Sequence, residues 1–397
     1  MAIERVPEKM LAAQVVEFNK PYKIHYIPTP RGPLHEHDIL VRVAAASLCH
    51  TDGMVLEGIL GTPLPCTASH EGAGTVVAIG SSVSGFKPGD RILCGLTYHR
   101  CGVCTDCKGP EHEQQYCAHG GGYLGVGRDG AFAEYEVIDG RECSLLPDNL
   151  SFESAAPLAC AGITIWCGLA RAGLKAGEWI AIVGAGGGLG HLGVQFAKAL
   201  GLNVIAVDAR DEALQLAKDC GADVLVDARQ DKNKVVEDVQ KVTGGQGADS
   251  TLNVSDHESA AATSVAVTKR HYDVDEDELL STLSILIGKV ADPKSAKIDG
   301  TMIQIAQPEK ISVPFEDVIF RDIRIHGSLV GSRGEAQKML ELVSKHNIKI
   351  QTNPFKGLEE IPKAVELAHS GRMKGKPVII LDEEAIERER KSGLQMI

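Results

Sequence analysis

Four cysteines fall in one short stretch, CGVCTDCKGPEHEQQYC at 101–117. A C-x2-C-x2-C run with a fourth cysteine shortly after lets a single loop wrap a tetrahedral ion, and four thiolates suit zinc. Cys101, Cys104, Cys107 and Cys117 fill every position and leave none for water, so this site is expected to be structural. SLCHTDG (47–53) and TASHEGAGTV (67–76) carry donors of a different kind, Cys49 and His70, and PLACAGIT (157–164) adds Cys160 as a candidate third. Catalytic zinc needs three protein ligands and an open position, and two cysteines with a histidine are one such set. Cys66 and Cys94 compete for the thiol places.

A second kind of chemistry is written at 179–208. The apolar run WIAIV (179–183) leads into GAGGGLGHLGVQFAKALG, where Leu189, Leu192, Phe196 and Leu200 share a helical face and Gly201 closes the helix. A glycine loop between strand and helix lets backbone N–H groups, here of Gly186, Gly187, Gly188, Leu189 and Gly190, meet a pyrophosphate. The G-x-G-x-x-G register is imperfect: ending at Gly190 it begins on Ala185, and starting at Gly184 it ends on Leu189. The next strand ends in Asp208, at the distance expected of a carboxylate that accepts from ribose hydroxyls. That favours NAD, whereas Arg210 offers a guanidinium to a 2′-phosphate.

The start, MAIERVPEKMLAAQVVEF, interrupts every apolar run with charge, and no window approaches a membrane span. Eleven cysteines, an odd number, in a chain long enough to bury a large core point to reduced thiols in a cytoplasmic protein. With 41 Lys+Arg against 53 Asp+Glu and no basic stripe near the loop, neither nucleic acid nor a membrane is an expected partner.

The elements that must position these residues fall into two patterns. Up to about residue 155 the chain alternates short β-type runs and turns, among them AAQVVEF, DILVRVAAA, GAGTVVAIG, the turn KPGD at 87–90, and AFAEYEVI. From about 165 to 330, apolar strands at 179–183, 203–207, 223–226, 250–254, 301–306 and 322–328 alternate mostly with helical stretches, which implies a parallel sheet covered on both faces. A helix at 334–347, a strand PVIIL and a charged tail, DEEAIERERKSG, complete the chain.

CHTDG, SHEGAG, the four-cysteine loop, PLACAGIT and the glycine loop, in that order, resemble the zinc-dependent medium-chain alcohol dehydrogenases, most of all the microbial tetrameric type, over about residues 10–383. The resemblance implies an α/β chain: a Rossmann-type doubly wound parallel sheet at 164–333 and a β-rich GroES-like catalytic domain from 1–163 and 334–397. It implies two zincs per chain, one on Cys49, His70 and Cys160 with Glu71 as an occasional ligand, the other on the four-cysteine loop. Asp52 would orient the histidine ligand, Thr51 would pass a proton to the cofactor ribose, and His50, Thr164 and Arg333 would contact the cofactor. The implied activity is reversible hydride transfer between an alcohol and NAD in a homo-oligomer, a tetramer or a dimer.

Several features depart from that pattern. Met54 stands where a relay histidine is common, and Ala213 where a lysine is common. The gap from Cys107 to Cys117 is about two residues longer than usual, and 271–299 is extra, with one apolar helical face. Small-alcohol enzymes of this type line the cleft with tryptophans. Here those places align with Leu56, Leu60 or Thr62, and Leu96, so longer aliphatic or aromatic primary alcohols and aldehydes are expected. Two rivals remain: a zinc-free quinone or alkene reductase of the same fold, and a non-catalytic NAD-sensing module.

Overall fold

β3 (Asp38–Ser47), DILVRVAAAS, is buried along nearly its whole length, because both of its edges are taken. One edge pairs with β5 (Glu71–Ile79); the other is shared between β7 (Tyr135–Asp139) at its start and β16 (Lys376–Ile380) at its end. The computed structural model describes residues 6–270 and 300–394. The expected helix at 271–299 lies outside them. The chain divides into two compact units, Met1–Trp166 with Val330–Ile397, and Cys167–Leu329.

In the first unit, a seven-stranded sheet runs in the order β15-β16-β3-β5-β6-β8, with β7 on β3. Here β6 is Arg91–Leu93, β8 Ser144–Leu145 and β15 Thr352–Lys356. A three-stranded sheet, β2-β1-β4, is made by Lys23–Pro28, Lys9–Val15 and Cys66–Thr67. Ile39, Val41, Val76, Ile92 and Ile138 pack in one cluster and Ala13, Val43, Ala46, Phe132 and Ile379 in another, with register shifts along β3 between Leu40 and Val41 and between Val43 and Ala45. The acidic-basic tail is not a loose tail. Asp382 caps a helix, Glu383–Lys391, by accepting from Ala385 N–H, and Ala385 and Ile386 bury against the unit. Its buried Glu389 pairs with Arg91 at 2.5 Å and accepts Phe152 N–H.

The second unit is a six-stranded, wholly parallel sheet of order β11-β10-β9-β12-β13-β14. Its strands are Trp179–Val183, Asn203–Asp208, Val224–Asp227, Ser250–Asn253, Thr301–Gln304 and Arg324–Gly327, for β9 to β14 in turn. Ala181, Val183, Ile205, Val207 and Val226 form its core with Val235 and Val239 of the helix Lys232–Val242. The helix Gly190–Ala199 buries more than the expected stripe: Leu192, Val194, Phe196 and Ala197 are all enclosed, while Leu200 at its end is exposed. Gly201, at φ +80°, ends it as expected. Among the described residues, no single helix is long and apolar enough to cross a membrane.

Candidate active site and metal centres

Sheet register delivers the first cluster. Ser47 on β3 pairs with Glu71 on β5, so Cys49, two residues beyond one strand, and His70, just before the other, emerge at the same end. Val378 of β16 pairs with Ser47, so Lys376 lies level with Cys49. Cys160 ends the short 3-10 turn Ala156–Ala159, and the following Ala161 N–H reaches Glu71 Oε1 at 3.3 Å. Donor atoms of Cys49, His70, Glu71 and Cys160 thereby lie within 4.8 Å of one another. Cys66 and Cys94 do not join them. Cys66 Sγ donates to Thr67 and Arg128 carbonyls, and Cys94 lies beside Glu136 in the cluster of Ile39, Val41 and Ile92.

The backbone around His70 is held in an uncommon state. Ser69 adopts φ +68°, which costs a non-glycine residue on the order of 1–3 kcal/mol unless its surroundings over-determine it. They do. Its N–H goes to Asp52 Oδ1 (2.9 Å), its hydroxyl to Ser47 O (2.9 Å), and its carbonyl accepts from Ala131 N–H (2.8 Å). That carbonyl lies where a side chain at Gly125 or Gly130 would stand, 2.4 and 1.9 Å from an added Cβ. Asp52 holds the backbone on both sides of this site. Both its oxygens accept backbone N–H groups, Cys49 at 2.8 Å and Ser69 at 2.9 Å. His70 Nδ1 is buried and unpartnered. Asp52 thus positions the two chain segments that carry ligands, and reaches the imidazole through its charge.

Charge inside the cluster is dense. A hydrogen bond from Cys160 pulls the Cys49 thiol well below its ordinary range, helped by Lys376 and His70, and the same bond pushes Cys160 up. Burial would lower His70, but the Cys49 thiolate outweighs it and raises the imidazole to about 9. Burial raises Glu71 to about 7 against the pull of Lys376. The Lys376 ammonium, itself buried, sits 3.0 Å from Glu71 Oε1 and 2.8 Å from Oε2. Lysine before an apolar strand carries no sequence signal of this role. A buried imidazole whose donor atom lies within 4.8 Å of two sulfurs and a carboxylate is the donor chemistry of a zinc site, and these residues fit that ion.

The four-cysteine loop closes on itself as its spacing predicts. Sγ–Sγ distances are 3.6 Å for Cys101–Cys117, 3.8 Å for Cys104–Cys117 and 3.9 Å for Cys101–Cys107. Four thiolates at ~2.3 Å around one ion stand about 3.8 Å apart. Backbone N–H groups of Cys104, Cys107 and Cys101 point at the sulfurs of Cys101, Cys104 and Cys117, each at 3.4 Å. Those of Val103 and Cys104 draw the Cys101 thiol down to about 6. The residues fit a zinc ion.

Of the remaining expected site residues, Thr51 Oγ1 is 3.8 Å from Cys49 Sγ, and His50 is exposed at the start of the helix His50–Leu56. Thr164 is buried in the helix Ala161–Ala172, and the Arg333 guanidinium rests 5.1 Å over Phe86. In the second unit, Asp208 ends β10 and accepts from Gly186 N–H (3.0 Å), Ala209 N–H (2.8 Å) and Arg210 N–H (3.3 Å). Arg210 Nε stands 3.8 Å away. The glycines divide by role. A Cβ on Gly186 would lie 2.0 Å from Ala213 O, and one on Gly190 2.2 Å from Gly184 O, so both serve packing. Gly187 meets only Gly184 O at 3.4 Å. Gly188 and Leu189 turn the chain into the helix.

A GroES-like β unit with two four-donor clusters, and a Rossmann-type parallel sheet ending in a glycine turn and an aspartate, are the two parts of a medium-chain dehydrogenase. Residues 35–148 match the family model of the alcohol dehydrogenase GroES-like domain, and 188–272 that of the zinc-binding dehydrogenases. An alcohol dehydrogenase of Geobacillus stearothermophilus is 33% identical over 381 residues, which is 94% of this chain and all of the relative. One from Schizosaccharomyces pombe is 31% identical over 390 residues, 95% of this chain and 99% of the relative. The crystal structure of the alcohol dehydrogenase from the archaeon Aeropyrum pernix superposes with a TM-score of 0.78 at 29% identity, covering 94% of this chain and 100% of that one. The chain belongs to the zinc-type medium-chain alcohol dehydrogenase family, and is an oxidoreductase of the alcohol dehydrogenase type.

Proposed function

We propose that this protein is a zinc- and NAD-dependent alcohol dehydrogenase acting on longer-chain or aromatic primary alcohols and the corresponding aldehydes. The convergence of the donor atoms of Cys49, His70, Glu71 and Cys160 within 4.8 Å carries this reading. Cys49, His70 and Cys160 would hold catalytic zinc, Glu71 would serve as an occasional fourth donor, and Cys101, Cys104, Cys107 and Cys117 would hold the structural ion. Zinc would supply the Lewis acidity that makes an alcohol hydroxyl acidic near neutral pH, and NAD the hydride acceptor.

The chain's own residues do the rest. Thr51 is near enough to the Cys49 sulfur for its hydroxyl to take the substrate proton and pass it on. Met54 carries no group to receive it next, so the proton leaves to water. Lys376 balances the charge of Glu71 and the thiolates where no water can. In the second unit, Asp208 binds ribose hydroxyls and repels a 2′-phosphate, which favours NAD over NADP despite Arg210. One neighbour, 26% identical, is described as an NAD-dependent alcohol dehydrogenase. His50, Thr164 and Arg333 would contact the same cofactor. Eleven unpaired thiols suit a cytoplasmic enzyme, and exposed Phe315, Ile319 and Phe320 in the unit that carries edge strand β14 support a homo-oligomer, a tetramer or dimer.

The test is metal analysis with a panel of primary, secondary and aromatic alcohols, each with NAD and NADP. Two zincs per chain and a rise in kcat/KM from ethanol towards longer or benzylic alcohols are expected. Zinc-free active protein that reduces quinones or activated alkenes would establish the rival reductase, and no turnover of any alcohol the sensing module.

A further inference from the structure

Away from both thiol clusters, His35, His99 and Asp38 bring their donor atoms within 4.8 Å of one another. His99 Nε2 lies 2.7 Å from Asp38 Oδ1, and the His35 ring centroid is 4.4 Å from that of His99. We propose that these three side chains form a separate site for a divalent transition-metal ion, with two imidazoles, one carboxylate and the remaining positions open to water.

The backbone prepares the site. Asp38 N–H to His35 O (2.9 Å) closes a turn over 35–38. That turn is fastened from outside by Ser82 N–H on Glu36 O and Gly140 N–H on His37 O, both at 2.8 Å. Gly80 lets the chain pass where a Cβ would stand 2.1 Å from His35 O. His99 arrives from the opposite side at φ +46°, with its N–H fixed to Asp139 Oδ2 at 3.1 Å and its ring stacked on Tyr98 at 3.9 Å. Asp38 is buried, and Tyr98 OH donates to its carboxylate at 3.0 and 3.2 Å, which leaves lone pairs for an ion. Arg141, whose charge reaches Asp38, is neutralised by Asp139 at 2.6 Å, and the Arg128 guanidinium lies 5.1 Å over the Tyr98 ring.

Donors bound at ~2.0–2.2 Å around a tetrahedral ion stand about 3.3 Å apart. Binding therefore opens the 2.7 Å His99–Asp38 contact slightly and replaces its hydrogen bond. The exposed His35 side chain swings in to complete the set. Imidazole donors with a single carboxylate select zinc, cobalt, nickel or copper over magnesium and calcium. The occupied site would clamp the start of β3 to the segment entering the four-cysteine loop, since His99 lies two residues before Cys101.

The experiment is equilibrium dialysis of purified protein against excess Zn2+, and separately Co2+, for wild type, His35→Ala and His99→Gln, with metal counted per chain. Wild type should bind one equivalent more than either variant, or bind it at least about tenfold more tightly. In Cys49→Ala and Cys104→Ala the equivalent should persist, and in the Co2+ form it should lack thiolate-to-metal charge transfer. Since His35 is exposed, His35→Ala tests the site without disturbing the cysteine loop. Equal metal content and affinity in wild type and His35→Ala, or an extra equivalent carrying a thiolate band, would overturn the proposal.

Discussion

Gly186 and Gly187 are neighbours with opposite reasons to be glycine, and one methyl group on each should separate them. On Gly186 the added Cβ would stand 2.0 Å from Ala213 O and 2.3 Å from Ala213 C, both backbone atoms of the helix Asp211–Asp219. Ordinary contact begins at 3.4 Å, so that helix would have to withdraw by roughly 1.4 Å. Overpacking usually costs about 1–3 kcal/mol, and a rigid backbone neighbour places Gly186→Ala at the upper end. For a unit of this size that lowers its Tm by about 6–12 °C. On Gly187 the nearest atom is Gly184 O at 3.4 Å and the φ is ordinary, so Gly187→Ala should leave the Tm within 1–2 °C, a change of about 0.5 kcal/mol. If Gly187 faces the pyrophosphate, the methyl group instead weakens NAD binding by about tenfold, or 1.4 kcal/mol. Differential scanning calorimetry with NAD titration reads both. An unchanged Tm in Gly186→Ala would refute the packing argument, and unchanged NAD affinity in Gly187→Ala the phosphate one.

Cys49→Ala should lose one zinc and all turnover while its Tm stays close to wild type, whereas Cys104→Ala should lose the other zinc and unfold at lower temperature; metal analysis beside thermal melts distinguishes them. Lys376→Met strands the buried Glu71 carboxylate and should cost about 3–5 kcal/mol. The double variant Lys376→Met/Glu71→Gln should recover part of that in denaturant titrations, and no recovery would mean the pair is not what matters. Glu136 is buried, with its carboxyl raised to about 8 by burial, and its stabilising protonated form is lost as pH rises from the ordinary carboxylate range through 8. Glu136→Gln should therefore leave stability near pH 5 unchanged and raise it above pH 8, by on the order of 4 kcal/mol at most; parallel melting curves across pH would refute this. Met54→His should speed alcohol oxidation near neutral pH wherever proton release limits the rate, as read from the solvent isotope effect.

Strands that are apolar on both faces were legible because period and burial coincide: WIAIV is β9 residue for residue. The four-cysteine loop was legible because all its donors are local, and spacing alone determines whether they can meet. Cys49, His70 and Cys160 were nameable from local motifs, but what holds them was not. Lys376 reaches Glu71 across 305 positions of chain, and Gly125 and Gly130 matter only through the Ser69 carbonyl folded against them. The charged end of the chain misled for the opposite reason. Its polar residues hide Ala385 and Ile386, and Glu389 becomes an internal strut once Arg91 and the Phe152 N–H are nearby. Leu200 fits the helical stripe by period, yet it falls just past the last helical residue, where the core no longer covers it.

β3 has no free edge, and a strand gripped by three partners cannot slide without breaking all three registers at once. Cys49, two residues beyond its end, is therefore located by the sheet and not by the loop that follows. The segment 57–62, beyond the helix, carries exposed Ile59 and Leu60 and pairs with none of these strands. A change of side chain at Ile59 or Leu60 therefore leaves the register that places Cys49 untouched.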